Sequence, residues 1–270
     1  MTPIEQLQLL MSRLRDSETG CPWDIKQDWR SLVQYTLEEV YELADAIERE
    51  DAGKVCEELG DYLFQAVFYA QIAAERQQFD FDEVCKGIVA KLLVRHPHVF
   101  PDGTLDSQRA PGAVPDTIQI KETWERIKQQ DRQQRSEPSA MDDIPAALPA
   151  LQRAQKMQKR AARTGFDWPD VSGVHDKLDE ELNELEDAVS CADPDAIAHE
   201  LGDVLFTCVN LVRHHGYDAE QVLRDANARF EQRFRSMESQ LSGVGADISN
   251  ADTDTLDRAW EQAKRDGRCE

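Results

Sequence analysis

The chain has 270 residues, and its 53 acidic against 31 basic side chains give a formal net charge of −22. Its 40% hydrophobic content supplies enough apolar material for one or two globular domains. The acidity excludes non-specific binding to nucleic acid or anionic lipid, whose sequence-independent term would be repulsive. No stretch approaches the roughly 18 uncharged apolar residues of a membrane span.

The opening segment, MTPIEQLQLLMSRLRD, carries charges inside an apolar periodicity and has neither the core nor the cleavage pattern of a signal peptide. Six cysteines (Cys21, Cys56, Cys85, Cys191, Cys208 and Cys269) are scattered without a CxxC pair, so they read as free thiols of a cytoplasmic protein. Leu32, Val40, Leu43 and Ile47 recur at the helical period, and Gly53 is expected to break that helix from the next. EELGDYLFQAV then begins a second, largely apolar helix. Lys91 and Arg95 lie four apart on a later helix that should stop at His96-Pro97. The stretch HPHVFPDGTLDSQRAPGAVPD reads as a loop before Trp124 and Lys128.

The remainder repeats this order. Trp23 in GCPWD matches Trp168 in GFDWPD; LEEVYELADAI from Leu37 matches DEELNELEDAV from Asp179; EELGDYLFQAV from Glu57 matches HELGDVLFTCV from His199. VCKGIVAKLLVR from Val84 matches VLRDANARFEQR from Val222, and TWERIK from Thr123 matches AWEQAK from Ala259. Five ordered blocks indicate a duplication. We divide the chain into a first helical domain (1–130), a polar, Pro-containing linker (131–146) and a second helical domain (147–270), the latter expected to be the main catalytic one. Val174, Leu178, Leu182, Leu185 and Val189 give the second half its own helical stripe, Asp193-Pro194 the break, and AIAHELGDVLFTCVNLV a helix apolar on most faces, as at the centre of a bundle. With no run of alternating strands, the expected fold is all-α.

The chemistry-bearing residues are carboxylates. Glu181 and Glu184 share one helix and Glu200 and Asp203 the next; Glu39, Glu42, Glu58 and Asp61 repeat that pattern at identical internal spacing. At 3.6 residues per turn, Glu181 and Glu184 lie about 60° and 120° from the apolar stripe. Glu200 and Asp203 sit in an apolar helix where unpaired carboxylates are costly. Four converging carboxylates repel unless protonated or neutralised by a cation, and an all-oxygen set selects Mg²⁺ or Mn²⁺. A di-iron site would want Glu-x-x-His pairs, which are absent here. Arg229 and Arg233, matching Lys91 and Arg95, suggest a phosphate clamp; Trp260, with Lys264 four residues on, matching Trp124 and Lys128, suggests an aromatic platform for a base. Trp23 and Trp168, next to turn residues, read as structural anchors ahead of the alternative, lid or base-packing positions.

EExxE followed by ExxD, in a tandem all-α chain with GFDW, NLVRHHG and AWEQAK, resembles the MazG family of nucleoside triphosphate pyrophosphohydrolases across nearly the whole length. The resemblance implies Mg²⁺-dependent hydrolysis of nucleoside triphosphates to monophosphate and pyrophosphate, and a homodimer. It places metal ligands on Glu181, Glu184, Glu200 and Asp203, and nucleotide contacts on Lys177, Glu180, Glu181, Asp203, Arg229, Arg233, Trp260 and Lys264. The segment Ala196–His199 departs from the acidic run common in relatives. In this reading Glu180 serves as general base, and Arg229, Arg233 and Lys264 stabilise developing charge. The first-half set, Glu39, Glu42, Glu58 and Asp61, is a second-tier metal site. The alternatives are a narrower dUTP- or phosphoribosyl-ATP-type hydrolase with the same cage, or a non-catalytic helical interaction protein. NTPs and dNTPs are the expected small-molecule partners, with no nucleic acid polymer and no membrane.

Overall fold

The computed structural model describes residues 1–110, 112, 116, 117, 120, 123, 124, 126, 127, 139–243 and 248–266. Among these there is no strand, and the fold is all-α. Lys128, Cys269, the first part of the linker and part of the loop before Trp124 lie outside the described residues. No helix is long and apolar enough to cross a membrane. The chain divides into two compact units, Met1–Asp131 and Arg132–Glu270.

In the first unit, α1 (Pro3–Leu14), the short α2 (Pro22–Lys26), α3 (Trp29–Glu48), α4 (Ala52–Glu75) and α5 (Phe81–Arg95) follow one another. Asp28 and Ser31 form a capping box that starts α3. Helices α3 and α4 pack as a hairpin, with α1 against α4. Its core is Met11, Leu32, Val67, Phe68 and Ile72, all nearly fully buried. Burying such side chains contributes about 1.5–3 kcal/mol each. Helix α5 ends at Arg95, where His96-Pro97 breaks it.

The second unit comprises α6 (Ala150–Arg163), α7 (Val171–Ser190), α8 (Pro194–His214), α9 (Ala219–Gly243), a 3₁₀ turn at Ile248–Asn250 and α10 (Thr253–Asp266). Helices α7 and α8 repeat the hairpin, α6 packs on α8 and α9, and α10 runs along α9. Helix α9 continues through Phe234 and Met237 without a break.

Both hairpins turn by one device. Glu50 and Ala192 adopt positive φ, +55° and +53°, and the aspartate that follows caps the next helix. Asp51 accepts from the Lys54 N–H, and Asp193 from the N–H groups of Asp195 and Ala196. Gly53, read above as the break, lies inside the first turn of α4.

The buried face also differs from the apolar stripe. Along α7 it runs through Val174, Glu181 and Ala188, whereas Leu182 and Val189 are 43% and 56% exposed. In α8 only Thr207, Val209 and Asn210 are buried, and Leu201, Leu205 and Phe206 face outward, so this helix is not the centre of a bundle within one chain. The hairpin buries Glu181 and leaves Leu182, Leu201 and Leu205 exposed.

Candidate functional site

Antiparallel packing of α7 on α8 sets Glu181 and Glu184 opposite Glu200. One carboxylate oxygen from each lies within 4.8 Å of the others. The first unit brings together Glu39, Glu58 and Asp61 in the same way. These are sets of hard oxygen donors at the mutual spacing a small divalent cation spans. Asp203 stands aside, paired to His199 at 3.3 Å, and Glu42 is outside the first-unit triad.

The electrostatic state of both sites is that of like charges held together. Desolvation pushes the Glu184 carboxyl above its ordinary value, helped by Glu181 and Glu200 and opposed by Lys177. Desolvation and then the charges of Asp61, Glu42 and Glu58 raise Glu39; the Glu58 charge is the chief cause raising Glu42. Glu58 is almost completely buried, and its Oε2 has no hydrogen-bond partner. A buried acceptor left unsatisfied costs about 1–3 kcal/mol. An orphaned carboxylate oxygen at the centre of an oxygen-only cluster fits a cation.

One lysine partly neutralises each cluster, from opposite helices. In the first unit Lys54 of α4 reaches Glu57 at 3.0 Å and Glu58 at 2.7 Å. In the second, Lys177 of α7 reaches Glu180 at 2.8 Å and Glu181 at 2.9 Å. Hydrogen bonds to these carboxylates raise both ammonium groups well above the usual lysine range. Glu180 itself is exposed, and Lys177 is its partner.

The remaining sequence-derived residues lie on α9 and α10. Arg229 and Arg233 are four apart along α9. Phe230 between them stacks on Phe234 and packs against Trp260 with ring centroids 5.3 Å apart. Trp260 also closes the small core of Met237, Leu241 and Ala259. Lys264 pairs with Glu261. Among the described residues no hydrogen bond or ion pair joins Arg229, Arg233, Trp260 or Lys264 to the carboxylates. Trp124, the first-unit counterpart of Trp260, packs on His96 at 5.2 Å, beside the break after Arg95.

Sequence reasoning missed the joint between GFDW and NLVRHHG. Arg213 donates to both Asp167 oxygens at 2.9 and 2.5 Å, and His214 lies 3.1 Å from one of them. Arg213 is the chief reason that the Asp167 carboxyl stays below its ordinary range. The signal was an Asp in the loop and an Arg-His pair at the end of the paired helix.

Comparison with known proteins gives a consistent picture. A family model described as the MazG nucleotide pyrophosphohydrolase domain matches residues 27–100 and 172–237. A nucleoside triphosphate pyrophosphohydrolase of Escherichia coli K12 is 45% identical over 267 residues, 98% of each chain. A Thermotoga maritima protein, nucleoside triphosphate pyrophosphohydrolase/pyrophosphatase MazG, is 41% identical over 260 residues, 96% of this chain and 95% of its own. A nucleoside triphosphate pyrophosphohydrolase of Mycolicibacterium smegmatis is 39% identical over 161 residues, 58% of this chain and 45% of its own.

Proposed function

This chain belongs to the MazG nucleotide pyrophosphohydrolase family, and from that premise we propose that it hydrolyses a broad set of NTPs and dNTPs to monophosphate and pyrophosphate with Mg²⁺. It is a hydrolase acting on nucleoside triphosphate anhydride bonds. The observation that carries the metal reading is the convergence of Glu181, Glu184 and Glu200 within 4.8 Å, repeated at Glu39, Glu58 and Asp61.

Glu181, Glu184 and Glu200 would hold the ion, with Asp203 nearby on α8 as a further oxygen donor. When bound, the ion offsets phosphate charge and acidifies coordinated water. Lys177, beside Glu180 and Glu181, presents its N–H donors to a phosphate oxygen. Glu180, exposed beside the cage, is the carboxylate that takes the proton of the attacking water. Water attacks phosphorus in line, one P–O bond forms as the anhydride P–O bond breaks, and pyrophosphate leaves with the electron pair. Arg229, Arg233 and Lys264 meet the charge that builds on the phosphoryl oxygens.

The working unit is a homodimer. Leu182, Leu201 and Leu205 are 43%, 47% and 61% exposed on the outer face of the catalytic hairpin, and a second copy covers them. The second unit does most of the hydrolysis, because its clamp helix α9 runs unbroken past Arg229 and Arg233 while α5 ends at Arg95.

The test is product analysis with a full NTP and dNTP panel, with Mg²⁺ and with EDTA. Monophosphate and pyrophosphate in equal amounts, lost on chelation, are expected. Diphosphate with inorganic phosphate, or turnover untouched by EDTA, would contradict the reading.

A further inference from the structure

The carboxylate cages leave the turn that ends α5 unused. Residues 1–130 contain two histidines, and both lie in this turn, as His96-Pro97-His98. Val84 matches Val222, so in the same register His96 stands where Phe234 does and His98 where Ser236 does. The second unit has a hydrocarbon ring at this place: Phe234 stacks on Phe230, which packs against Trp260. In the first unit the ring against the equivalent tryptophan, Trp124, is that of His96, edge-on with centroids 5.2 Å apart. Packing asks for one aromatic ring here and gives no reason for two imidazoles.

The turn holds both rings in place. Pro97 keeps its own φ at about −65°. The His96 carbonyl accepts from the N–H groups of Val99 and Phe100, each at 2.9 Å, which closes the chain around His98. His96 Nδ1 lies 2.7 Å from the Leu92 carbonyl oxygen. A carbonyl only accepts, so Nδ1 carries the hydrogen and Nε2 keeps its lone pair. Metal-ligating histidines are oriented by this kind of bond to a backbone carbonyl.

Both side chains are half-buried, and their ring centroids are 5.5 Å apart. Two imidazoles bound to one ion through M–N bonds of about 2.0–2.1 Å at a tetrahedral angle have centroids about 5.2 Å apart. Beside His96, Trp124 Nε1 is buried without a partner, an N–H donor for a water or anion that completes the ion's shell.

The surrounding charge selects the ion. Arg109 bears on His98 as a positive charge, from an exposed side chain that water screens. Arg95 directly precedes the pair. A hard cation held by charge, such as Mg²⁺, is disfavoured in this setting. Zinc, nickel and copper ions bind imidazole through nitrogen lone pairs instead.

We propose that His96 and His98 form a transition-metal site of the first unit, which takes a divalent ion of the zinc, nickel or copper class through two imidazole nitrogens. It is separate from the carboxylate cages in its ligands and in its ion. Its residues take no part in the hydrolysis, so binding is read without turnover.

The test titrates Zn²⁺ into the full chain, labelled with ¹⁵N-histidine, at saturating Mg²⁺. Long-range ¹H–¹⁵N spectra should show Nε2 of His96 and one ring nitrogen of His98 shifting together, at one midpoint. His96→Phe, which installs the residue of the second repeat and keeps a ring against Trp124, should raise the zinc midpoint of His98 about tenfold or more. If that variant loses its helical circular dichroism, His98→Gln is read in the same way through His96. Rings that do not respond to zinc, rings that respond at different midpoints, or a variant whose remaining histidine keeps the wild-type midpoint would overturn the site.

Discussion

Glu181 and Glu58 are buried acids facing other acids, an arrangement whose cost depends on protonation and on cations. Glu39 and Glu184 titrate above the ordinary glutamate value of 4.5 in the fold. A carboxyl raised in the folded state gives stability that is fully present below the unfolded value and lost as pH rises through the folded one. Asp167, held low by Arg213, works in the opposite direction, so the total pH profile mixes both signs. The clean readout is the increment from magnesium. Scanning calorimetry should show Mg²⁺ raising Tm more at pH 7 than at pH 4.5, because acidification protonates the raised Glu184 carboxyl and competes with the ion. Equal increments at the two pH values would mean that the ion stabilises the protein elsewhere.

At the scale of helices, the hairpin, its duplication and the break at Asp193-Pro194 were legible in the sequence, because periodicity and helix breaking are local. The direction of burial was not. The stripe through Leu182 and Val189 marks a face that wants covering, but periodicity cannot say whether the cover comes from the same chain, and here Glu181 turned inward instead. Spacing placed Glu181, Glu184 and Glu200 together, yet could not foresee that Asp203 pairs with His199. The repeats differ in their clamp helices, α5 stopping at Arg95 and α9 running on. Groups already aimed at the developing charge contribute most to rate. Glu58→Gln should therefore keep most of the wild-type rate under saturating Mg²⁺ and NTP. A loss as deep as that of the second-unit counterpart, Glu200→Gln, would show that both units catalyse or are tightly coupled.

For the whole molecule, charge and exposed apolar surface make separate demands. A net charge of −22 opposes association without specificity, and the exposed Leu182, Leu201 and Leu205 are the face on which we propose that a second copy docks. Light scattering at low micromolar concentration should give twice the mass of one chain, and a single-chain mass would contradict the dimer. The account depends above all on the carboxylates of the second unit being the catalytic centre. The most direct measurement is the turnover number of Glu200→Gln against wild type at saturating Mg²⁺ and NTP, with helix content checked by circular dichroism. The side chain is nearly isosteric and relieves repulsion, so the fold should persist while kcat falls at least about a hundredfold. A folded variant that turns over at the wild-type rate would contradict the assignment of the site.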